Sequence, residues 1–230
     1  MRNKFSTRQQ SKPLVAPLSH ICCQRNEVMG SHSMKCRKRR KKFICVRFYA
    51  MPIALPSFRF HTDPLASGSV LPSDTPCEVC GQARGFIYTG PVYSEGDAEA
   101  VLCPWCIADG SAHRTLDAIF HDTSFPDGTS EEVMAEIEER TPGFAVFNPF
   151  EWPCCCGLPM AYVEPAGIAE IRARHYTLEG LLMGTIVHDF GISGGAARTF
   201  MEYLRRDESP CVQVFHCLTC DTVHGHIDRT

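Results

Sequence analysis

At 230 residues and a net charge of −3, with 14 cysteines, the chain is long enough to bury a core and has no apolar run fit to span a bilayer. The nearest approach, residues 43–58, is broken by Arg47, Pro52 and Pro56. The mean charge conceals a divide: residues 1–50 hold 13 basic residues against one acid, Glu27, and residues 51–230 hold ten against 25, a net of −15, so the body excludes polyanions.

All six lysines precede Phe43, and the body uses arginine alone. This reads as a join between two differently evolved stretches. Residues 1–50 are then a basic, disordered extension or the product of a start codon placed too early, and Met51 opens the folded part. The run Lys35 to Lys42 would contact nucleic acid only if that extension is made. The N-terminus lacks the basic, apolar, small-residue order of a signal peptide. The expected compartment is therefore the cytoplasm, where C-x2-C pairs bind metal more often than they form disulfides.

From Met51 to Asp74 the chain is rich in Pro and Ser, with Phe58-Arg59-Phe60-His61 as an alternating segment suited to a sheet edge. Cys77-Glu78-Val79-Cys80 follows as a first knuckle closed by Gly81. Strands are predicted at Phe86–Tyr88 and Pro91–Tyr93, with Thr89-Gly90 turning between them. Cys103-Pro104-Trp105-Cys106 forms a second knuckle, 22 residues beyond the first. Ribbon spacings run roughly 15 to 20 residues, and a hairpin absorbs the excess. Two such pairs supply four soft ligands, and the expectation is one zinc on Cys77, Cys80, Cys103 and Cys106.

Asp109-Gly110-Ser111 offers a cap for a helix over 112–120. Thr129 with Glu132 fits a capping box opening a helix to Arg140, stopped by Thr141-Pro142-Gly143. Pro165 suits the first position of a helix reaching Ala173. Thr177 caps an apolar helix over 178–189, and Ser193 one over 194–206 with Phe200 and Leu204 inward. Residues 212–215 and 222–226 flank Cys217-Leu218-Thr219-Cys220 as a hairpin. The fold class is α+β: small zinc-ribbon hairpins, at about 77–106 and 211–228, packed with several short helices in one domain over 51–230.

The chemistry of the third pair needs two further ligands. Cys156 and one of Cys154 or Cys155 complete a second zinc site with Cys217 and Cys220, with His216 or His224 as a substitute fourth ligand. His61 reads as a packed or surface histidine, and Asp109 and Ser111 as cap residues rather than active-site groups. Gly191-Ile192-Ser193-Gly194-Gly195 matches G-x-S-x-G only formally, since no buried strand precedes it.

Four blocks carry a family likeness: Pro56 to His61, Leu102 to Ala112, Glu139 to Phe144 and Cys217 to Cys220. Together they resemble the CbrC-like family of poorly characterised bacterial proteins, one of which is linked genetically to colicin tolerance. The resemblance covers residues 51–230 and implies no reaction. Two positions depart from that pattern. Met160 stands where some members have a cysteine, and Asp221 where a glycine would suit a left-handed turn.

The function expected is a zinc-binding protein with one or two structural metals per chain, recognising another protein, a reading that weighs against an enzyme. Two alternatives stay open: a zinc-dependent hydrolase at a second site left incomplete by Met160, and a thiol redox protein using Cys103 and Cys106.

Overall fold

The computed structural model describes residues 54–96 and 99–230, all within the unit Tyr49–Thr230. The basic run and the proposed start at Met51 lie outside the described residues.

A three-stranded antiparallel sheet forms the centre, in the order β5 (Ala161–Ala166), β6 (Cys211–His216), β7 (Val223–Asp228). The middle strand β6 is buried along five of its six residues, because both of its faces are covered. Val212 and Val214 point to one side, into a cluster with Ile171, Leu178, Leu182, Ile186, Met201 and Leu204. Those residues come from α4 (Ile168–Arg174), α5 (Leu178–His188) and α6 (Gly194–Glu202). Close approach of α5 needs Gly225 on β7, where a Cβ would press on Leu182 and Leu178 at 3.1 and 3.3 Å. Phe215 points to the opposite side.

That opposite face is aromatic. Phe60, Phe144, Phe150, Trp152, Tyr162 and Phe215 pack with Met160 and Cys217. Phe144 and Tyr162 stack at 3.5 Å, and Trp152 donates from Nε1 to the Met160 carbonyl over 2.8 Å. Phe60 reaches this cluster because its segment bridges β5 beside Tyr162, so the alternating stretch does line the sheet edge. The third cluster, around Leu102, Ile107 and Phe120, rests on β1 (Val70–Ser73), β2 (Gly85–Tyr88), α1 (Pro104–Ala108) and α2 (Ser111–Leu116).

One carboxylate ties the sheet to the helices. Glu164 on β5 receives both arms of Arg174 at 2.9 and 2.8 Å, His175 Nε2 at 2.9 Å and Arg206 Nη1 at 2.6 Å. Burial pushes its carboxyl up, and these three partners together hold it down at about 2.

Several elements depart from the sequence reading. Strand β1 is unforeseen: Pro72 sits within it, tolerated because its two-stranded sheet leaves an edge free. The expected strand at Pro91–Tyr93 is one bridge between Tyr93 and Ile119. The helix expected over 112–120 closes at Leu116, because Asp117 turns left-handed at φ 48°. Helix α3 (Glu131–Arg140) starts after Ser130 instead of Thr129, whose hydroxyl bonds the Pro126 carbonyl at 2.9 Å, so no capping box forms. Pro165 lies inside β5, and the next helix opens after Gly167, whose N–H is taken by Glu170 at 2.9 Å. Helix α6 ends at Glu202, four residues short of the expected Arg206. The α+β class, α5 and the β6–β7 hairpin stand as read.

Candidate metal centres

Cys77 and Cys80 occupy the turn between β1 and β2, and Gly81 at φ 67° sends its N–H back to the Cys77 carbonyl over 2.7 Å. The Cys77 N–H bonds the Gln82 carbonyl and the Glu78 N–H bonds the Val101 carbonyl, which lays this knuckle against the segment leading to Cys103. The second pair stands on a helix start, not on a second hairpin turn. Cys103 is the residue before α1, Pro104 takes its first position and Cys106 its third. The Cys-Pro dipeptide carries that signal, since proline suits the first position of a helix.

The four sulfurs of Cys77, Cys80, Cys103 and Cys106 lie within 4.8 Å of one another. The separations Cys77–Cys106 and Cys80–Cys103 are 3.8 Å, and Cys103–Cys106 is 3.6 Å. A zinc–sulfur distance of about 2.3 Å gives a tetrahedron edge of about 3.8 Å. The donor set therefore fits a four-coordinate thiolate metal with little rearrangement.

The second tetrad is Cys155, Cys156, Cys217 and Cys220, again within 4.8 Å. Cys154–Cys155 (β3) and Leu158–Pro159 (β4) form a hairpin whose two turn residues, Cys156 and Gly157, are left-handed at φ 54° and 78°. That turn swings Cys156 beside Cys155, so adjacent residues share one centre, 3.8 Å apart and each 3.7 Å from Cys220. Cys217 accepts the N–H groups of Thr219 and Cys220 at 3.3 and 3.4 Å, the amide arrangement of a metal knuckle.

The choice left open between Cys154 and Cys155 thus falls on Cys155. Cys154 points back to the Trp152 carbonyl. Neither His216 nor His224 joins the tetrad. Met160 does not open a coordination position: it is 2% exposed within the aromatic cluster, and four thiols complete the set without it. The geometric premise of a three-ligand hydrolytic centre fails there. Asp221 keeps a negative φ, so the departure at that position costs no strain.

Hydrogen bonding lowers one thiol in each tetrad. Burial pushes the Cys77 thiol up, but the amides of Cys80, Cys103 and Val79 bring it down to about 7. The Thr222 hydroxyl and amide bring Cys220 down to about 6, while its bond to Cys220 pushes Cys156 up to about 12. A bound cation would displace the remaining protons.

The other candidates are structural. His61 is fully buried between the Pro142 carbonyl and the Ser67 hydroxyl, both at 2.7 Å. Asp109 accepts the Ser111 N–H at 2.8 Å in the turn between α1 and α2, but the N-cap of α2 is Gly110, so the expected side-chain cap does not form. Gly191 to Ser193 lead into α6, and Gly194 and Gly195 are its first two residues, a glycine-rich helix start.

The sequence pattern of an uncharacterised protein family, UPF0167, matches residues 55–229, a span that contains both tetrads. The chain belongs to this family. UPF0167 proteins of Mycobacterium bovis and Mycobacterium tuberculosis are each 37% identical over 179 residues, 77% of this chain and 95% of theirs. A UPF0167 protein of Pseudomonas aeruginosa is 37% identical over 180 residues, 76% of this chain and 98% of its own. No solved structure matches the chain. Among the described residues no helix is long and apolar enough to cross a membrane.

Proposed function

We propose that this UPF0167 chain binds two zinc ions, one in each cysteine tetrad, and works as a protein-interaction module in a reducing, cytoplasmic compartment. The observation that carries the reading is the pair of four-thiol clusters with sulfur separations of 3.6–3.8 Å. Sulfur selects a soft or borderline metal, and four thiolates leave no position for a water to be activated. Each centre also belongs to a core: the first tetrad lies in the cluster around Leu102 and Phe120, and Cys217 lies in the aromatic one. The metals would brace those cores and support the surfaces built on them.

A protein partner suits this body better than a nucleic acid, since its net charge of −15 repels polyanions. Exposed Tyr176, Leu181 and Tyr203 are the kind of side chains such surfaces use. The likeness to CbrC-like proteins sits with this reading, because it brings no reaction with it.

Metal content per chain, measured by plasma mass spectrometry with free-thiol counting, tests the proposal. Two zinc ions per chain is the expected result. One zinc would confine the metal to a single tetrad. No metal, with disulfides in its place, would sink the reading and favour thiol redox chemistry.

A further inference from the structure

The two tetrads differ sharply in their access to solvent. In the first, Cys77, Cys103 and Cys106 are 1, 1 and 2% exposed, and only Cys80 is half-buried. In the second, Cys156 and Cys220 are exposed, Cys155 is half-buried, and only Cys217 is buried. Oxidation of a thiolate follows its exposure, because a peroxide must reach the sulfur before it can react. Zinc itself has no redox chemistry at this potential range, so any electrons given up must come from the sulfurs.

We infer that the second tetrad is an oxidant-responsive metal-release site, in which a peroxide joins Cys156 and Cys220 as a disulfide and expels the metal. This rests on the reading that both tetrads hold zinc. The pair is selected by geometry. Cys156 sits at the tip of the β3–β4 hairpin, Cys220 at the open end of the β6–β7 knuckle, and their sulfurs stand 3.7 Å apart. Cys155 is as close to Cys220, but it packs against the aromatic cluster. A bond between the neighbours Cys155 and Cys156 would close a strained ring across one peptide. Cys154 lies outside the tetrad, with its sulfur on the Trp152 carbonyl.

The step balances with hydrogen peroxide as the oxidant. The Cys220 thiolate attacks one peroxide oxygen, the O–O bond breaks, and hydroxide leaves and takes a proton to become water. The resulting sulfenic sulfur is attacked by the Cys156 thiolate: the S–S bond forms, the S–O bond breaks, and a second water leaves after protonation. Two electrons pass from the two thiolates to one peroxide, and two protons are consumed. The metal then retains two thiolates of four and dissociates, while the first tetrad, shielded from the oxidant, keeps its own.

The test uses the full chain, with zinc content measured first. Two equivalents at the start satisfy the premise; fewer would overturn the underlying zinc reading, and this inference with it, before any oxidant is added. Hydrogen peroxide is then added beside a chromophoric chelator, and cysteine linkages are mapped by mass spectrometry. The expected result is release of one zinc about tenfold faster than the other, with a Cys156–Cys220 linked peptide. Dithiothreitol with added zinc should restore two equivalents. The variant Cys154→Ser should release its zinc at the unchanged rate. Equal loss from both centres, no loss before unfolding, a linkage through other cysteines, or protection by Cys154→Ser would each overturn the proposal.

Discussion

The Nδ1–H of His61 donates to the carbonyl oxygen of Pro142 over 2.7 Å, deep in the protein and across 81 positions of chain. The bond joins two of the blocks that carried the family likeness, Pro56 to His61 and Glu139 to Phe144. Thr141 is extended, as the residue before a proline should be, so α3 stops there and aims the Pro142 carbonyl at the imidazole. On its other side His61 accepts from Ser67, and its ring meets Tyr162 edge-on at 5.0 Å.

Replacing His61 with alanine should therefore strip the buried Pro142 carbonyl of its imidazole donor, leave the Ser67 hydroxyl only its longer contacts to Pro64 and Ser69 at 3.2 Å, and open a cavity beside Tyr162. The expected loss is about 3 kcal/mol, read as a lower urea midpoint at saturating zinc. An unchanged midpoint would show that the imidazole bonds add nothing over water.

Acid should destabilise the protein through its histidines before its carboxylates. Burial, tempered by the Pro142 hydrogen bond, brings His61 down to about 4. His121, also buried and next to the His61 charge, is brought down to about 3, with its Nε2 lacking any partner. In the unfolded chain both rings take up protons near pH 6.5, whereas in the folded chain they stay neutral until pH 4 or 3. Falling pH thus favours the unfolded state: stability is whole above pH 6.5 and drains as pH drops towards 4, at up to about 1.4 kcal/mol per pH unit for each ring. Glu164, whose carboxyl sits at about 2, adds a loss only below the ordinary carboxylate range.

Metal binding by the thiols would weaken in acid as well, so the informative quantity is a difference between variants. His121→Phe removes one buried titratable ring and keeps edge contacts with Trp152 and Phe144. Its stability at pH 7 should stay within about 1 kcal/mol of the parent, and its slope between pH 6.5 and 4.5 should be shallower by about 1.4 kcal/mol per unit. Identical slopes for the two proteins would rule out His121 as a source of the acid sensitivity.

What the sequence made legible was short-range. C-x2-C spacing brings two thiols close together whatever the rest of the fold does, and α5 shows its apolar character in its own residues. The sequence could not choose between Cys154 and Cys155, because that choice depends on a left-handed Cys156 that swings one sulfur toward Cys220 and leaves the other outside. A Cys-Gly pair at the tip of a short hairpin was the available signal. Pro165 misled for a related reason. Proline suits a helix start, but here it sits in β5 opposite Gln213, a role decided by a strand 48 residues away in the chain. Met160 looked like a missing ligand from its place in sequence, and only the folded structure shows it buried in the aromatic cluster with four cysteines gathered without it.

Two glycines give a paired test in which one substitution should have opposite signs. At Gly143 a Cβ would collide with the backbone oxygen of Phe120 and stand 2.7 Å from the Tyr88 hydroxyl, which accepts the Gly143 N–H at 3.1 Å. Neither neighbour can withdraw, since the Phe120 N–H is bonded to Glu138 and Tyr88 donates to the Pro91 carbonyl at 2.6 Å. Gly143→Ala should cost more than about 3 kcal/mol or prevent folding. At Gly184, inside α5, a Cβ meets nothing within 4 Å, and the backbone is already helical. Gly184→Ala should raise stability by about 1 kcal/mol, because alanine loses less conformational freedom on entering a helix. Urea denaturation of the two variants measures both. If Gly143→Ala were tolerated as readily as Gly184→Ala, the contact between the Thr141–Gly143 turn and Phe120 would be looser than drawn, and the block from Glu139 to Phe144 would need another explanation.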